Sequence, residues 1–442
     1  MFNFSFLKSD NDGESKRDEL TYDLLVIGGG ASGMMAAAVA SAKGQTVVVI
    51  EQNSELGKKL KITGGGRCNI LNAEFDTKIL LTHYGEAAKF LHSAFAIFDV
   101  EKTINYFSDI GIEIKIEDKK RAFPKSEKAI DVYDAIQSEL DDHEVDILTD
   151  HKVTKINIDD LDAVVNIEAT NTKTGVKGLY KAKRYLIATG GMSHAETGST
   201  GDGFKFLKDL GYTITTPTPD LVPIQVSTSW VTALTGRTLK DVKVTFYVDG
   251  VKSLVVQGKD AEPANVLCTH FGMSGPSIIN SSRAVSDMMG EGEVTGTIDL
   301  FKSMDIGTLD TYILNVFDQN KNKKLRNVLN DIYPENVLEI ILSNLNIIDL
   351  DQEVNNVSRE GRRAIIDIVK GLEFKVDGLM GIDKAIVTDG GLALDQIDFH
   401  TMRLIRSDNL YVTGDVLDIP RPSGGYSLQL CWTTGYIAGS SI

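Results

Sequence analysis

Gly28, Gly30 and Gly33 form a G-x-G-x-x-G array directly after the apolar run YDLLVI, at the head of the alanine-rich run ASGMMAAAVASA. Each glycine has its own steric task. The first permits a tight turn, the second lets a pyrophosphate approach the backbone, and the third lets a helix lie close on a strand. Free N–H groups at such a helix start, with the positive end of its dipole, attract phosphate oxygens. A second apolar run, VVVIEQ, ends in Glu51, whose carboxylate suits a ribose hydroxyl and repels a 2′-phosphate. These residues predict a β-α-β unit for an adenine dinucleotide, and by themselves leave NAD and FAD open.

Two distant segments point to FAD. In LYVTGDVLD a strand delivers Gly414 and Asp415, a carboxylate suited to a ribityl hydroxyl. Ser423-Gly424-Gly425 then opens the apolar helix SLQLCWTTGYIAG, whose positive end suits the pyrimidine edge of a flavin, where negative charge collects on reduction. Non-covalent FAD is therefore the expected cofactor.

Between these segments, Gly64, Gly65 and Gly66 supply backbone donors, followed by Arg67 as an expected cofactor anchor, Cys68 and Asn69. Lys58, Lys59 and Lys61 add positive potential. Two side chains are candidate proton donors. Cys68 is one if its arginine neighbour lowers the thiol pKa, although an inert packed thiol is the commoner fate of a lone cysteine. His270 in THFG is the other, as a group titrating near neutrality. A hydrogen-bonded structural histidine is the alternative there, and His194 has a similar standing.

These residues need elements to hold them. The 442-residue chain, 42% hydrophobic, is long enough for two or three domains. Residues 1–20 read as a disordered tail, and 21–196 as the first part of an FAD-binding domain. Residues 197–300 contain a separate antiparallel β region with Asp249-Gly250 at a hairpin turn. Within 301–370, Leu325, Val328, Leu329 and Ile332 recur at helical spacing, which marks a small helical domain. From 371 to 442 the strand-and-glycine pattern of the first domain returns, so the nucleotide domain is split.

A net charge of −16 argues against a generally basic nucleic-acid or anionic-membrane surface. Two local clusters, Lys321, Lys323, Lys324 and Arg326 with Arg359, Arg362 and Arg363, nevertheless suit one basic face. The three cysteines are far apart and lack a C-x-x-C pair, so no disulfide framework or metal site is expected. A reducing, cytoplasmic setting fits. No apolar run approaches the roughly 18 residues of a membrane span. No second dinucleotide fingerprint follows a strand, so a pyridine nucleotide would have to reach the flavin directly.

In order and spacing, GGGASGMMAA, KKLKITGGGRCN, RAFPKSEKA, ATGGMSHAETGSTGDG, LVPI, THFGMSGP and GDVLDI…GGYSLQL resemble the YhiN/BaiN-like flavoprotein family, which includes aminoacetone oxidase-like enzymes. The resemblance runs from Tyr22 nearly to the last residue. It implies an α/β fold: a split, Rossmann-like two-dinucleotide FAD-binding domain with an inserted antiparallel β-barrel and a small helical domain over the flavin. Members of the family are linked to amine oxidation, to reduction of steroid-like substrates and to dihydrouridine formation in ribosomal RNA.

Further cofactor contacts are expected at Ala31, Ser32, Gln52, Val153, Thr189, Gly190, Tyr426 and Ser427. The chain departs from the family pattern at Thr388-Asp389-Gly390-Gly391, at Ser427 and at Arg421-Pro422, which stands where a glycine-containing loop is usual. The expected activity is transfer of hydride or electrons between FAD and an organic substrate, with NAD(P)H as candidate reductant. Alternatives are an rRNA dihydrouridine synthase acting on a flipped uracil and a non-catalytic flavin redox sensor. Partners are then a small molecule or rRNA, without a membrane, and the oligomeric state is left open.

Overall fold

A computed structural model describes residues 22–256 and 264–442; the expected tail, 1–20, lies outside the described residues. Five parallel strands, in the order Leu410–Val412, Ala182–Ile187, Tyr22–Ile27, Val47–Ile50 and Asp146–Leu148, form most of a seven-stranded sheet. Two short antiparallel strands, Ile397–Asp398 and Arg403–Leu404, extend it beyond Leu410–Val412. The continuous apolar run Val47–Ile50 is buried at every position, as a strand covered on both faces requires. An antiparallel three-stranded sheet, His151–Ile158, Val164–Asn171 and Lys177–Tyr180, lies between Asp146–Leu148 and Ala182–Ile187 in sequence.

Helices Ala31–Ala42 and Tyr426–Ser440 are buried on almost every side and cross at very close range. A Cβ on Gly435 would lie 2.5 Å from the Ser32 carbonyl oxygen, and one on Gly439 would lie 2.4 Å from that of Ala36. Small residues let the two backbones meet, which brings the opening and closing segments of the domain together.

A second hydrophobic core runs from Ile224 to Val376. Its sheet follows the order Leu372–Lys375, Val294–Asp299, Thr238–Val248, Ala264–Thr269, Gly272–Ser274, Ile224–Gln225 and Gly378–Leu379, with Val251–Val256 also paired to Thr238–Val248. This includes the predicted hairpin, with Asp249 and Gly250 at its turn. Among the described residues the order is an open path, and no ladder joins its two ends.

The domain limits differ from the sequence expectation in two ways. Phe204, Phe206, Leu207 and Tyr212 pack into the first core, so the nucleotide side extends past residue 196. Helices Ile306–Gln319, Leu325–Ile332, Val337–Leu345 and Arg359–Lys370 share one core with the inserted sheet. An amphipathic helix must bury its apolar face somewhere, and the sheet supplies that surface. Strands Ile214–Asp220 and Val387–Leu392 pair to form the neck between the two cores.

Candidate functional site

A cavity of about 470 Å³ opens at the end of the parallel strands. It is lined by Gly28–Ser32, the segment from Ile50 to Asn53, Lys58–Leu60 and Ile62–Gly65 on one side, and by Asp415, Ser427, Leu428 and Cys431 on the other. The three glycines of the first motif differ in their surroundings. Gly28 has φ +104°, and a Cβ there would meet the Ala188 carbonyl oxygen at 2.6 Å. Gly33 packs the helix against the turn: its Cβ would lie 2.0 Å from the Gly28 carbonyl oxygen. A Cβ on Gly30 would meet nothing within 4 Å, although Gly30 lines the cavity. Gly30 is also the N-cap of Ala31–Ala42, and no side chain caps that helix. Its first-turn N–H groups therefore stay available to an anion.

Glu51 is buried and pre-positioned. One carboxylate oxygen accepts the Gly29 N–H at 2.8 Å, and the other accepts the Asn53 N–H at 2.8 Å and the Asn53 side-chain amide at 2.7 Å. Gln52 and Asn53 donate in turn to the carbonyls of Gly198 and Thr197, so a loop from another part of the chain closes over this end.

At the opposite end, Asp415 forms an ion pair with Arg421 at 2.7 Å and accepts from Ser427 Oγ at 3.4 Å. The Arg421 side chain has no solvent exposure. Lys59 Nζ donates to Ser193 Oγ at 2.6 Å, and burial pulls its pKa below the ordinary lysine range. Ser193 and Met192 donate backbone N–H groups to Thr388 Oγ1, which ties this wall to the neck.

Of the expected cofactor contacts, the cavity brings together Gly28, Gly30, Ala31, Ser32, Glu51, Gln52, Lys59, Gly65, Val153, Thr189, Gly190, Asp415 and Ser427. Gly33, Gly66, Arg67, Cys68, Asn69, Gly414, Gly424, Gly425 and Tyr426 do not line it. Several of these hold the frame instead. A Cβ on Gly414 would strike Ser32 Oγ at 2.6 Å, and one on Gly425, at φ +102°, would lie 2.3 Å from the Leu71 carbonyl carbon. Asn69, with its amide oriented to satisfy both ends, accepts the Gly425 N–H at 3.0 Å. Asn72 donates to the Gly424 carbonyl. Tyr426 packs at a tilt against His83, with ring centroids 4.6 Å apart.

Arg67 and both candidate proton donors depart from expectation. Arg67 turns from the cavity to pair with Glu117 at 2.8 Å and Glu127 at 3.0 Å, its guanidinium over the Phe123 ring. Cys68 is fully buried, and burial pushes its thiol up to about 12 rather than down. His270 is exposed at the turn between Ala264–Thr269 and Gly272–Ser274, outside the cavity lining. His194 does line the cavity, with Nδ1 2.9 Å from Glu196. A thiol held protonated through neutral pH and shut from solvent is a packing group. Cys68→Ser is therefore expected to keep its cofactor content and turnover within about twofold, and native Cys68 to resist alkylation at pH 8 until the chain is unfolded. Rapid labelling of the folded protein at Cys68 would contradict this.

Sequence reasoning missed Asn53, Ser199, Phe206, Ile386 and Cys431 as lining residues. Only tertiary packing brings them there, apart from Asn53, which follows Glu51 closely enough to have been found. Arg421 was visible as a departure from pattern but had no assigned partner.

The segments that carry the two basic clusters approach each other where the Asn355 N–H donates to the Lys321 carbonyl. Their charge is largely countered. Lys321 pairs with Asp318, Lys324 and Arg326 with Asp351, Arg362 with Asp310, and Arg363 with Asp367. Among the described residues, no helix is long and apolar enough to cross a membrane.

Comparison with known proteins places this geometry among relatives. The sequence model described as "HI0933-like protein Rossmann domain" matches residues 22–441. A 3-dehydro-bile acid delta(4,6)-reductase of Clostridium scindens is 26% identical over 417 residues, covering 94% of this chain and 97% of that protein. A ribosomal RNA dihydrouridine synthase of Haemophilus influenzae is 26% identical over 425 residues, covering 95% and 98%. The fold is similar to that of 3-ketosteroid-delta4-(5alpha)-dehydrogenase from Rhodococcus jostii RHA1, with a TM-score of 0.53, 15% identity and 97% of each chain covered.

Proposed function

Since the chain belongs to the HI0933-like family of FAD-binding Rossmann proteins and is an FAD-dependent oxidoreductase, we propose that it holds FAD non-covalently and uses it to reduce a small organic substrate. The observation that carries this reading is the continuous cavity from Glu51 to Asp415, with Gly30 open beside an uncapped helix start. The residues fit the group. Helix N–H groups and the space at Gly30 suit the pyrophosphate, Glu51 the adenosine ribose, and Asp415 a ribityl hydroxyl. Bound FAD supplies two-electron oxidation and reduction. The chain orients it, excludes water with the loop at Thr197–Ser199, and sets the charge around it.

Reduction is the direction carried from the bile acid reductase and the dihydrouridine synthase. A small molecule is favoured over RNA because most of the basic residues are already paired with acids. Lys323→Glu with Arg359→Glu is expected to leave FAD content and small-molecule turnover unchanged. Loss of rRNA affinity with a changed salt slope in that variant would move the reading to RNA.

Acid denaturation is expected to release all the flavin as free FAD. With no second dinucleotide fingerprint, NADH or NADPH must meet the flavin where the substrate does. Stopped-flow reduction should then precede substrate binding and give ping-pong kinetics. A ternary complex with NAD(P)H and substrate bound together would overturn the shared-face scheme. Absence of any flavin turnover with donors and acceptors would favour a sensor.

A further inference from the structure

Asp415 stands on a short turn, Gly414–Val416, just after the strand Leu410–Val412, and lines the cavity. A carboxylate so placed can rotate among its rotamers unless something holds it. Two groups do, and both act on one oxygen: Arg421 Nη2 lies 2.7 Å from Oδ1, and Ser427 Oγ donates to it at 3.4 Å. Oδ2 accepts no hydrogen bond among the described residues, while the Asp415 side chain keeps 12% exposure. One acceptor is therefore pinned, and the other is left to whatever fills the cavity.

The arginine is built to hold still. It stands between Pro420 and Pro422. Each proline fixes its own φ, and the second also disfavours a helical backbone at Arg421. Nη1 donates to the Ile419 carbonyl at 2.5 Å, and the Ser423 N–H donates to the Asn280 side chain at 3.1 Å, so the loop is tied on both sides of the arginine. The Arg421 side chain is fully shielded from solvent; its Nε has no hydrogen-bond partner, and Nη2 meets Asp415 as an ion pair without hydrogen-bond alignment. A guanidinium buried with its donors so incompletely satisfied adds little net stability. Its effect is on direction: a rigid cation draws Oδ1 to one side. Arg421 does not itself line the cavity, so it reaches a ligand only through Asp415.

We propose that Arg421 is a positioning residue, holding Asp415 Oδ1 so that Oδ2 is presented to a hydroxyl of the cofactor's ribityl chain. This rests on the FAD-dependent reading above. The pair carries no net charge, and what Arg421 contributes is the orientation of its partner.

The test is a double-mutant cycle on the full chain stripped of its cofactor, read as FAD affinity from the change in flavin fluorescence on binding, with no turnover required. Arg421→Met should weaken FAD binding at least about tenfold, roughly the loss of one hydrogen bond to a charged group. In an Asp415→Ala background the same substitution should change affinity by less than about twofold, because no carboxylate is left to orient. Arg421→Lys keeps a cation but not the rigid fork, so it should lose about threefold beside native Asp415 and less than about twofold in the Asp415→Ala background. This second cycle decides the question if Arg421→Met does not fold. Losses of equal size in the two backgrounds would mark a packing role and overturn the proposal, as would unchanged affinity in Arg421→Met beside native Asp415. A native chain that binds no FAD would instead overturn the FAD reading itself, a result seen before any variant is made.

Discussion

Gly30→Asp yields a folded protein without flavin. The native φ and ψ at Gly30, −81° and −174°, are open to any residue, and a Cβ there meets nothing within 4 Å. Aspartate is also a favoured N-cap, so the helix Ala31–Ala42 is at least as stable as before. The new carboxylate would nevertheless occupy the place proposed for the pyrophosphate at the helix start. Opposing a second buried anion costs at least about 4 kcal/mol, roughly a thousandfold in FAD affinity. The check is flavin absorbance after gel filtration, paired with circular dichroism and a thermal melt. Stoichiometric FAD in the purified variant would show that the pyrophosphate lies elsewhere.

Gly435→Leu attacks the frame instead of the ligand. Its Cβ would stand 2.5 Å from the Ser32 carbonyl oxygen and 3.1 Å from Met35 Cβ, so the two buried helices must separate. Overpacking against backbone costs about 3 kcal/mol, which lowers Tm by roughly 3–6 °C in a chain of this size. Separation also displaces Ser32, a lining residue, so FAD is held less tightly in whatever remains folded. Gly435→Ala should produce the same effects at reduced size. A Leu variant melting within about 1 °C of native would mean that the crossing yields freely, against the tight packing of protein interiors.

What could be read in the sequence was what residue type alone constrains. The glycine motif, Glu51, Asp415 and the Asp249-Gly250 hairpin each depend on a backbone requirement or a local strand end; the structure shows the crowding at Gly28 and Gly33 and the hairpin, and sets Glu51 and Asp415 in the cavity lining. Arg67, Cys68 and His270 depend on where a side chain turns, which distant partners decide. Glu117, Glu127 and Phe123 draw Arg67 away, and so remove the cation that would have activated Cys68. The shared core of the inserted sheet and helices escaped notice because helical periodicity shows that a face is buried without naming what covers it.

The joining of Asn72 to Gly424, 352 residues apart in sequence, has a consequence for how the protein is made. As the chain leaves the ribosome, the glycine loop and Glu51 emerge early, the inserted core follows as a unit able to collapse on itself, and the helix Tyr426–Ser440 comes late. Until that helix slides against Ala31–Ala42, the first strands lack their closing wall, and the cavity has no Asp415 end. Such long-range closure is slow, and apolar surface stays exposed while it waits. A ligand that binds only the closed form pulls the last step forward by mass action. Flavin supplied during synthesis is thus expected to raise the yield of folded chain, and a chain truncated before its final helix is expected to bind none.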